Sequence, residues 1–172
     1  HGEDGEIVGK ALAGGRRDDV ILATKVHSQM GVQFPGEEGD SNKRGNSRRW
    51  ITREVEDSLR RLKTDWIDLY QIHRPDPATD IEETLSALTD LMRAGKVRAL
   101  GSSTFPVSEI VEAQWVSERR GLARFRVEQP PYSILNRGIE REVLPACERY
   151  GMGAMVWSPL AMGMLTGKYR KG

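Results

Sequence analysis

Trp66-Ile67-Asp68-Leu69-Tyr70-Gln71-Ile72-His73-Arg74-Pro75-Asp76 opens as an apolar run rich in aromatic and β-branched side chains. Such a run suits a strand buried on both faces. Pro75 has no N–H to donate and cannot extend a central strand. A buried strand therefore delivers His73 to its C-terminal tip, beside Arg74. In parallel α/β folds, ligands meet the protein at such tips.

Upstream, Val20 to Val26 reads as a strand, almost wholly apolar except for Lys25 near its end. Ile7 to Leu12 predicts a short helix closed by Gly14-Gly15. Residues 27–49 are rich in Gly, Ser and Asn without a sustained period, a loop long enough to suggest function. Ile51, Val55, Leu59 and Leu62 then form one helical stripe. Downstream, Asp80 with Glu83 resembles a capping box ahead of the stripe Leu85, Leu88, Leu91 and Met92, which Gly95 ends. Val97 to Thr104 is the next strand. Val107, Ile110, Val111 and Ala113 predict a helix closing near Gly121. Phe125 to Gln129 is a strand halted by Pro130-Pro131, and Ile139, Val143, Cys147 and Tyr150 line a helix that Gly151 ends. Met155 to Leu160 reads as a last strand entering a Gly-rich segment.

Strand and helix alternate strictly, which implies an α/β fold with a parallel sheet and helical crossovers. No G-x-G-x-x-G follows a strand, as a dinucleotide-binding open sheet would require. An open sheet gathers its site at one switch point, whereas here successive strands end in Lys25, His73, Ser103, Gln129 and Ser158. Polar tips on every strand fit a (β/α)8 TIM barrel ringed by its βα loops. Residues 1–172 are read as a single domain.

Lys plus Arg (26) nearly balances Asp plus Glu (25) among the 172 residues, for a net charge of +1. That argues against a nucleic-acid binder relying on bulk charge. Cys147 is the only cysteine, so no intrachain disulfide forms and a cytoplasmic location is expected. No apolar run approaches about 18 residues, so no membrane association is expected. Metal ligation is not expected either, because His1, His27 and His73 lack ligand spacing. The runs Gly36-Glu37-Glu38 and Ile81-Glu82-Glu83 read as solvated faces.

Burial in an apolar strand disfavours the Lys25 ammonium unless an anion pairs with it. Such a lysine can form a Schiff base, lower a neighbouring acid's pKa, or simply reach solvent along its stem. His73 can orient a carbonyl or move a proton. Ser103, Thr104 and Gln129 are neutral donors and acceptors able to bind an amide edge, or plain loop caps. Trp157-Ser158-Pro159-Leu160, with Gly163, Gly167 and Lys168 following, offers an aromatic face and a phosphate-binding turn, or a core tryptophan and an ordinary turn.

Together these residues resemble the aldo-keto reductase superfamily. The resemblance runs through Leu22-Ala23-Thr24-Lys25, Ser58-Leu59-Arg60-Arg61-Leu62, Asp65-Trp66-Ile67-Asp68-Leu69-Tyr70 and Gln71-Ile72-His73-Arg74. It continues through Gly95-Lys96-Val97-Arg98, Gly101-Ser102-Ser103-Thr104-Phe105, Glu128-Gln129-Pro130-Pro131-Tyr132 and Trp157-Ser158-Pro159-Leu160. It implies NADPH-dependent reduction of aldehydes and ketones on a (β/α)8 barrel, with NADH as the alternative cofactor and a small carbonyl compound as substrate.

By resemblance, Lys25 depresses the pKa of a catalytic tyrosine and His73 orients the substrate carbonyl. Ser103, Thr104 and Gln129 match positions that hold the nicotinamide carboxamide, with Thr104 where many members have Asn. Trp157 matches the aromatic that stacks on the nicotinamide, and Ser158, Pro159, Leu160, Gly163 and Lys168 fall in the segment along the pyrophosphate.

The catalytic Asp and Tyr are expected before His1, with Gly2 to Gly9 continuing their loop. The last strand and the segment reading the 2′-phosphate are expected beyond Gly172. About five of eight βα units are then present, too few for activity alone, and a homo-oligomer is left open. The pattern also resembles potassium-channel β subunits, which are nucleotide-binding regulators, but these carry Asn at the position of His73.

Overall fold

The computed structural model describes residues 2–28 and 40–169. His1 and the run Gly36-Glu37-Glu38 lie outside them. In chain order the elements are α1 (Gly2–Ala11), β1 (Ala23–Val26), α2 (Arg48–Leu62), β2 (Ile67–Ile72), α3 (Ile81–Arg93) and β3 (Val97–Ser102). There follow α4 (Val107–Arg120), β4 (Phe125–Glu128), α5 (Val143–Arg149) and β5 (Gly153–Ala154). All four ladders are parallel, and the strands lie side by side in sequence order. An order without reversal has no switch point, so the sheet is an arc of a (β/α)8 barrel and not a doubly wound sheet.

The register defines which side chains share a face. Lys25, Gln71, Gly101, Val127 and Gly153 form one row, and Val26, Ile72, Ser102, Glu128 and Ala154 form the next. The second row points into the helical layer, where Val26, Tyr70, Ile72, Leu100 and Phe125 are buried in one core with Ile51, Val55, Leu85, Leu88 and Ile110. Between the pairs Leu100–Phe125 and Gly101–Val127 the register shifts by one residue, leaving exposed Arg126 unpaired. That shift lets Phe125 and Glu128, three residues apart, both face the helices.

The stripes of α2 and α3 follow the expected spacing, whereas Ile7 in α1 is 63% exposed, Val111 in α4 is 39% exposed beside core Ile110, and Ile139 lies in a separate 3-10 turn ahead of α5. Asp80 caps α3 by accepting the N–H of Glu82 at 2.8 Å. Glu83 does not return to its own cap; its carboxylate accepts the N–H of Arg48 at 2.9 Å and so caps α2. Glu82 pairs with Arg120 at 2.7 Å, a partly exposed bridge and not a purely solvated face.

Three expectations are corrected. Residues 2–9 belong to helix α1 and not to a loop. That helix lies so close to α2 that a Cβ on Gly9 would meet the Arg61 carbonyl at 2.6 Å. The first strand starts at Ala23, because Asp68 Oδ2 takes the N–H of Leu22 at 2.9 Å and leaves Ile21 85% exposed. The last strand is only Gly153–Ala154, and Met155 to Leu160 continue as irregular backbone. Pro159 cannot donate to a ladder, and Ser158 adopts a left-handed φ of 59°.

At the opposite end of the sheet from His73, Asp68 joins Arg17 at 2.7 Å and Arg98 at 3.2 Å. Both guanidiniums also lie over the Trp66 ring, 4.5 and 4.6 Å from its centroid. Burial alone would raise the Asp68 pKa, but the Leu22 N–H and the two arginines outweigh it and hold the carboxyl below the usual range. A depressed carboxylate pKa contributes stability above the unfolded value of about 3.9, and that stability is lost as pH falls through the folded pKa. Urea unfolding of the whole protein should therefore show Asp68→Asn less stable than the parent near pH 7, with the gap closing below about pH 4. A gap that widens in acid would contradict the clamp.

Candidate active site

Alternation along each strand places His73, Ser103 and Gln129 on the same sheet face as the Lys25–Gln71–Gly101–Val127 row, one step further toward the C-terminal tips. Backbone bonds continue the ladders to that level. His73 donates its N–H to the Val26 carbonyl at 2.9 Å, and Gln129 donates to Ser102 at 2.9 Å. Four adjacent strands thus converge their polar tips on one face.

Lys25 is exposed on one side, yet partial burial of its strand end lowers its pKa. No carboxylate pairs with it among the described residues. His73 is half-buried, and desolvation, followed by the charges of Arg74, Lys25 and His27, lowers its pKa as well. The imidazole is therefore neutral at pH 7 and keeps one N–H to donate. The pair combines a lysine biased toward losing its proton with a neutral histidine donor.

The tips of β3 and β4 are tied by three bonds. Gln129 N–H reaches Ser102 O, Thr104 N–H reaches Gln129 O at 3.2 Å, and the Ser103 hydroxyl donates to Gln129 O at 2.9 Å. Thr104 turns the chain sharply with φ 58°. Two polar atoms here are buried without a protein partner: Thr104 Oγ1 and Gln129 Oε1. A buried unpartnered oxygen is costly, so each points to a group that completes it.

Trp157 is held beside Pro131 by a parallel bridge and leaves 39% of its surface open. Beyond it the chain coils tightly. The Ser158 hydroxyl accepts Met162 N–H at 3.3 Å, and Leu160 O accepts Gly163 N–H at 3.0 Å. Ser158, Ala161, Met162 and Gly163 all have positive φ, and Lys168 folds back so closely that a Cβ on Gly163 would lie 3.0 Å from Nζ. The N–H groups of Ala161, Met162, Gly163 and Leu165 are taken up within this coil, with the Lys168 ammonium beside it. Pro159 is exposed between the two parts.

A second network braces His73's surroundings and was not legible from residue type. Asp76 accepts from the Thr79 hydroxyl at 2.7 Å, Asn46 N–H at 2.9 Å and Ala78 N–H at 3.2 Å. Buried Asn46 bonds His27 Nδ1 at 3.0 Å and donates to Arg74 O at 3.0 Å. The only signal available was the turn-forming Pro75-Asp76-Pro77. Glu128 was missed as well, although a charged residue inside an apolar strand was visible. Among the described residues no cluster of His, Cys, Asp or Glu could hold a metal ion, and no helix is long and apolar enough to cross a membrane.

Comparison with known proteins identifies the family. The model for the Aldo/keto reductase family matches residues 1–172, and the chain belongs to that family. It is 44% identical over 167 residues to the uncharacterized oxidoreductase YrpG of Bacillus subtilis (strain 168), covering 96% of this chain and 50% of that protein. It is 40% identical to a probable voltage-gated potassium channel subunit beta of Oryza sativa subsp. japonica, covering 100% and 51%. It is also 40% identical to the aldo-keto reductase YhdN of Bacillus subtilis (strain 168), covering 97% and 47%. The chain spans about half the length of these relatives.

An NMR titration of the whole protein should find His73 with a pKa below the ordinary value of about 6.5. Removing the neighbouring charge in Lys25→Met should raise it. A His73 that titrates above 6.5 in the parent, or ignores the loss of Lys25, would contradict the shared electrostatic site.

Proposed function

We propose that the whole protein is an oxidoreductase that reduces small aldehydes, ketones or quinones with NADPH, and that residues 1–172 are a single domain contributing the central strands of its barrel. The observation carrying this reading is the pair of buried, unpartnered oxygens, Thr104 Oγ1 and Gln129 Oε1, at adjoining strand tips. A nicotinamide carboxamide has one acceptor oxygen and two N–H donors. The Thr104 hydroxyl would donate to that oxygen, while Gln129 Oε1 and the lone pairs of Ser103 Oγ would accept the two N–H groups. The residues present therefore fit the group.

Trp157 would stack on the nicotinamide ring, and the coiled segment with Ser158, Pro159, Leu160, Gly163 and Lys168 would follow the pyrophosphate. When bound, the cofactor supplies the hydride. His73, neutral and donating, would orient the substrate carbonyl and stabilise charge growing on its oxygen. Lys25 would lower the pKa of the tyrosine that protonates this oxygen, a residue expected upstream of His1. Hydride and proton together convert the carbonyl to an alcohol. A cytoplasmic location fits this cofactor.

The similarity to a plant channel subunit favours a second reading, a nucleotide-binding regulator. His73 argues for the enzyme, because the regulators it resembles carry Asn there.

Assays of the whole protein should show NADPH oxidation with small aldehydes or quinones. Lys25→Met should lower kcat by at least about 100-fold, because its role is in proton transfer, with cofactor affinity nearly unchanged. Trp157→Ala should weaken NADPH binding by about 0.5–1.5 kcal/mol beyond the loss of buried area. Tight NADPH binding without turnover would favour the regulator. Equal rates for Lys25→Met and the parent would remove the lysine's role.

A further inference from the structure

We propose that Glu128 is a positioning residue for the nicotinamide end of the cofactor: from beneath the sheet it holds the 103–105 turn in the shape that presents Thr104 and Gln129. The inference rests on the cofactor reading above and concerns a residue that touches neither cofactor nor substrate. Glu128 is fully buried on the helical face of β4, opposite to its neighbour Gln129. Its Oε1 accepts the N–H of Phe105 at 3.2 Å, and its Oε2 accepts the hydroxyl of Ser102, its register partner. Burial raises the Glu128 pKa above the ordinary carboxylate value, and the Ser102 hydroxyl and the Phe105 N–H oppose that rise only in part.

A carboxylate inside a hydrophobic layer is costly unless donors surround it. Phe105, whose N–H Glu128 accepts, meets Phe125 edge to face in the buried core, with ring centroids 5.8 Å apart. The donors come from both sides of the site's sharpest bend. Thr104 has φ 58°, a region that a β-branched residue rarely occupies. The two acceptor oxygens offset this strain by bonding Ser102 before the bend and Phe105 after it. Without them, only the bonds that Thr104 and Ser103 make to Gln129 O would hold the bend, and Thr104 would be freer to leave its left-handed conformation. The Thr104 hydroxyl and the Ser103–Gln129 bond would then lose their mutual placement.

The test uses the whole protein and two probes. NADPH contains the nicotinamide, whereas 2′,5′-ADP lacks it and reports the remote end of the binding site. Glu128→Leu, with similar volume and no acceptor, should weaken NADPH by about tenfold or more while leaving 2′,5′-ADP affinity unchanged. Glu128→Gln should restore NADPH affinity to within about threefold, because its amide oxygen can accept Phe105 N–H while its NH2 donates to Ser102 Oγ. If Glu128→Leu does not fold, Glu128→Asp decides: one methylene shorter, it should still weaken NADPH selectively. Parental NADPH affinity in a folded Leu or Asp variant would overturn the proposal. So would parallel losses for both probes, which would indicate general structural damage, or failure of Gln to rescue. A parent that binds neither NADPH nor NADH would instead remove the cofactor reading, and this proposal with it.

Discussion

The arrangement depends on parity in a parallel ladder. Side chains alternate faces with a period of two, so a one-residue slip of β4 against β3 would turn Gln129 toward the helices and Glu128 toward the site. The slip at Arg126 shows how narrow the tolerance is. By leaving one residue unpaired, it reconciles Phe125, needed in the core, with Glu128, needed beneath the bend. The core residues Val26, Ile72, Leu100 and Phe125 therefore decide the direction of Lys25, His73, Ser103 and Gln129, although none of them is polar. Packing sets the register, and the register aims the chemistry.

The two ends of the sheet use charge in opposite ways. At one end Asp68 lies between two arginines that also cover Trp66, and the opposite charges hold a helix-turn segment and two strands together. At the other end Lys25, His73, His27 and Arg74 gather positive or protonatable groups, and burial first, then the charges of Arg74, Lys25 and His27, lower the His73 pKa. Compensated charge suits stability, and a cluster of basic side chains suits an oxygen that becomes negative during reaction. This division matches the general pattern of barrels, in which one end is structural and the other chemical.

Much of this was legible in the sequence. Apolar runs ending in polar residues located β1 to β4, and their strict alternation with helices predicted the sequential parallel sheet. Residues at strand ends, Lys25, His73, Ser103 and Gln129, could be listed because strand period and breaker residues define an end. Long-range bonds were not legible. Nothing in Asp68 alone announces that it shortens β1, and the spacing of Glu83 from Asp80 suits a capping box although its carboxylate accepts the Arg48 N–H. The final strand was misplaced because Val156 and Trp157 have high β propensity, whereas the strand is Gly153–Ala154 and Pro159 and the left-handed Ser158 give the following backbone another course. Glu128 escaped notice as a site residue because its partners, Ser102 and Phe105, are brought to it only by the ladder.

A crystal structure of the whole protein with bound NADP is the most direct test of the central claim, that the β3 and β4 tips form a carboxamide pocket. It should show the carboxamide oxygen and nitrogen within about 3 Å of Thr104 Oγ1 and Gln129 Oε1, with the ring lying against Trp157. A dinucleotide bound elsewhere, with both oxygens still unpartnered, would contradict it.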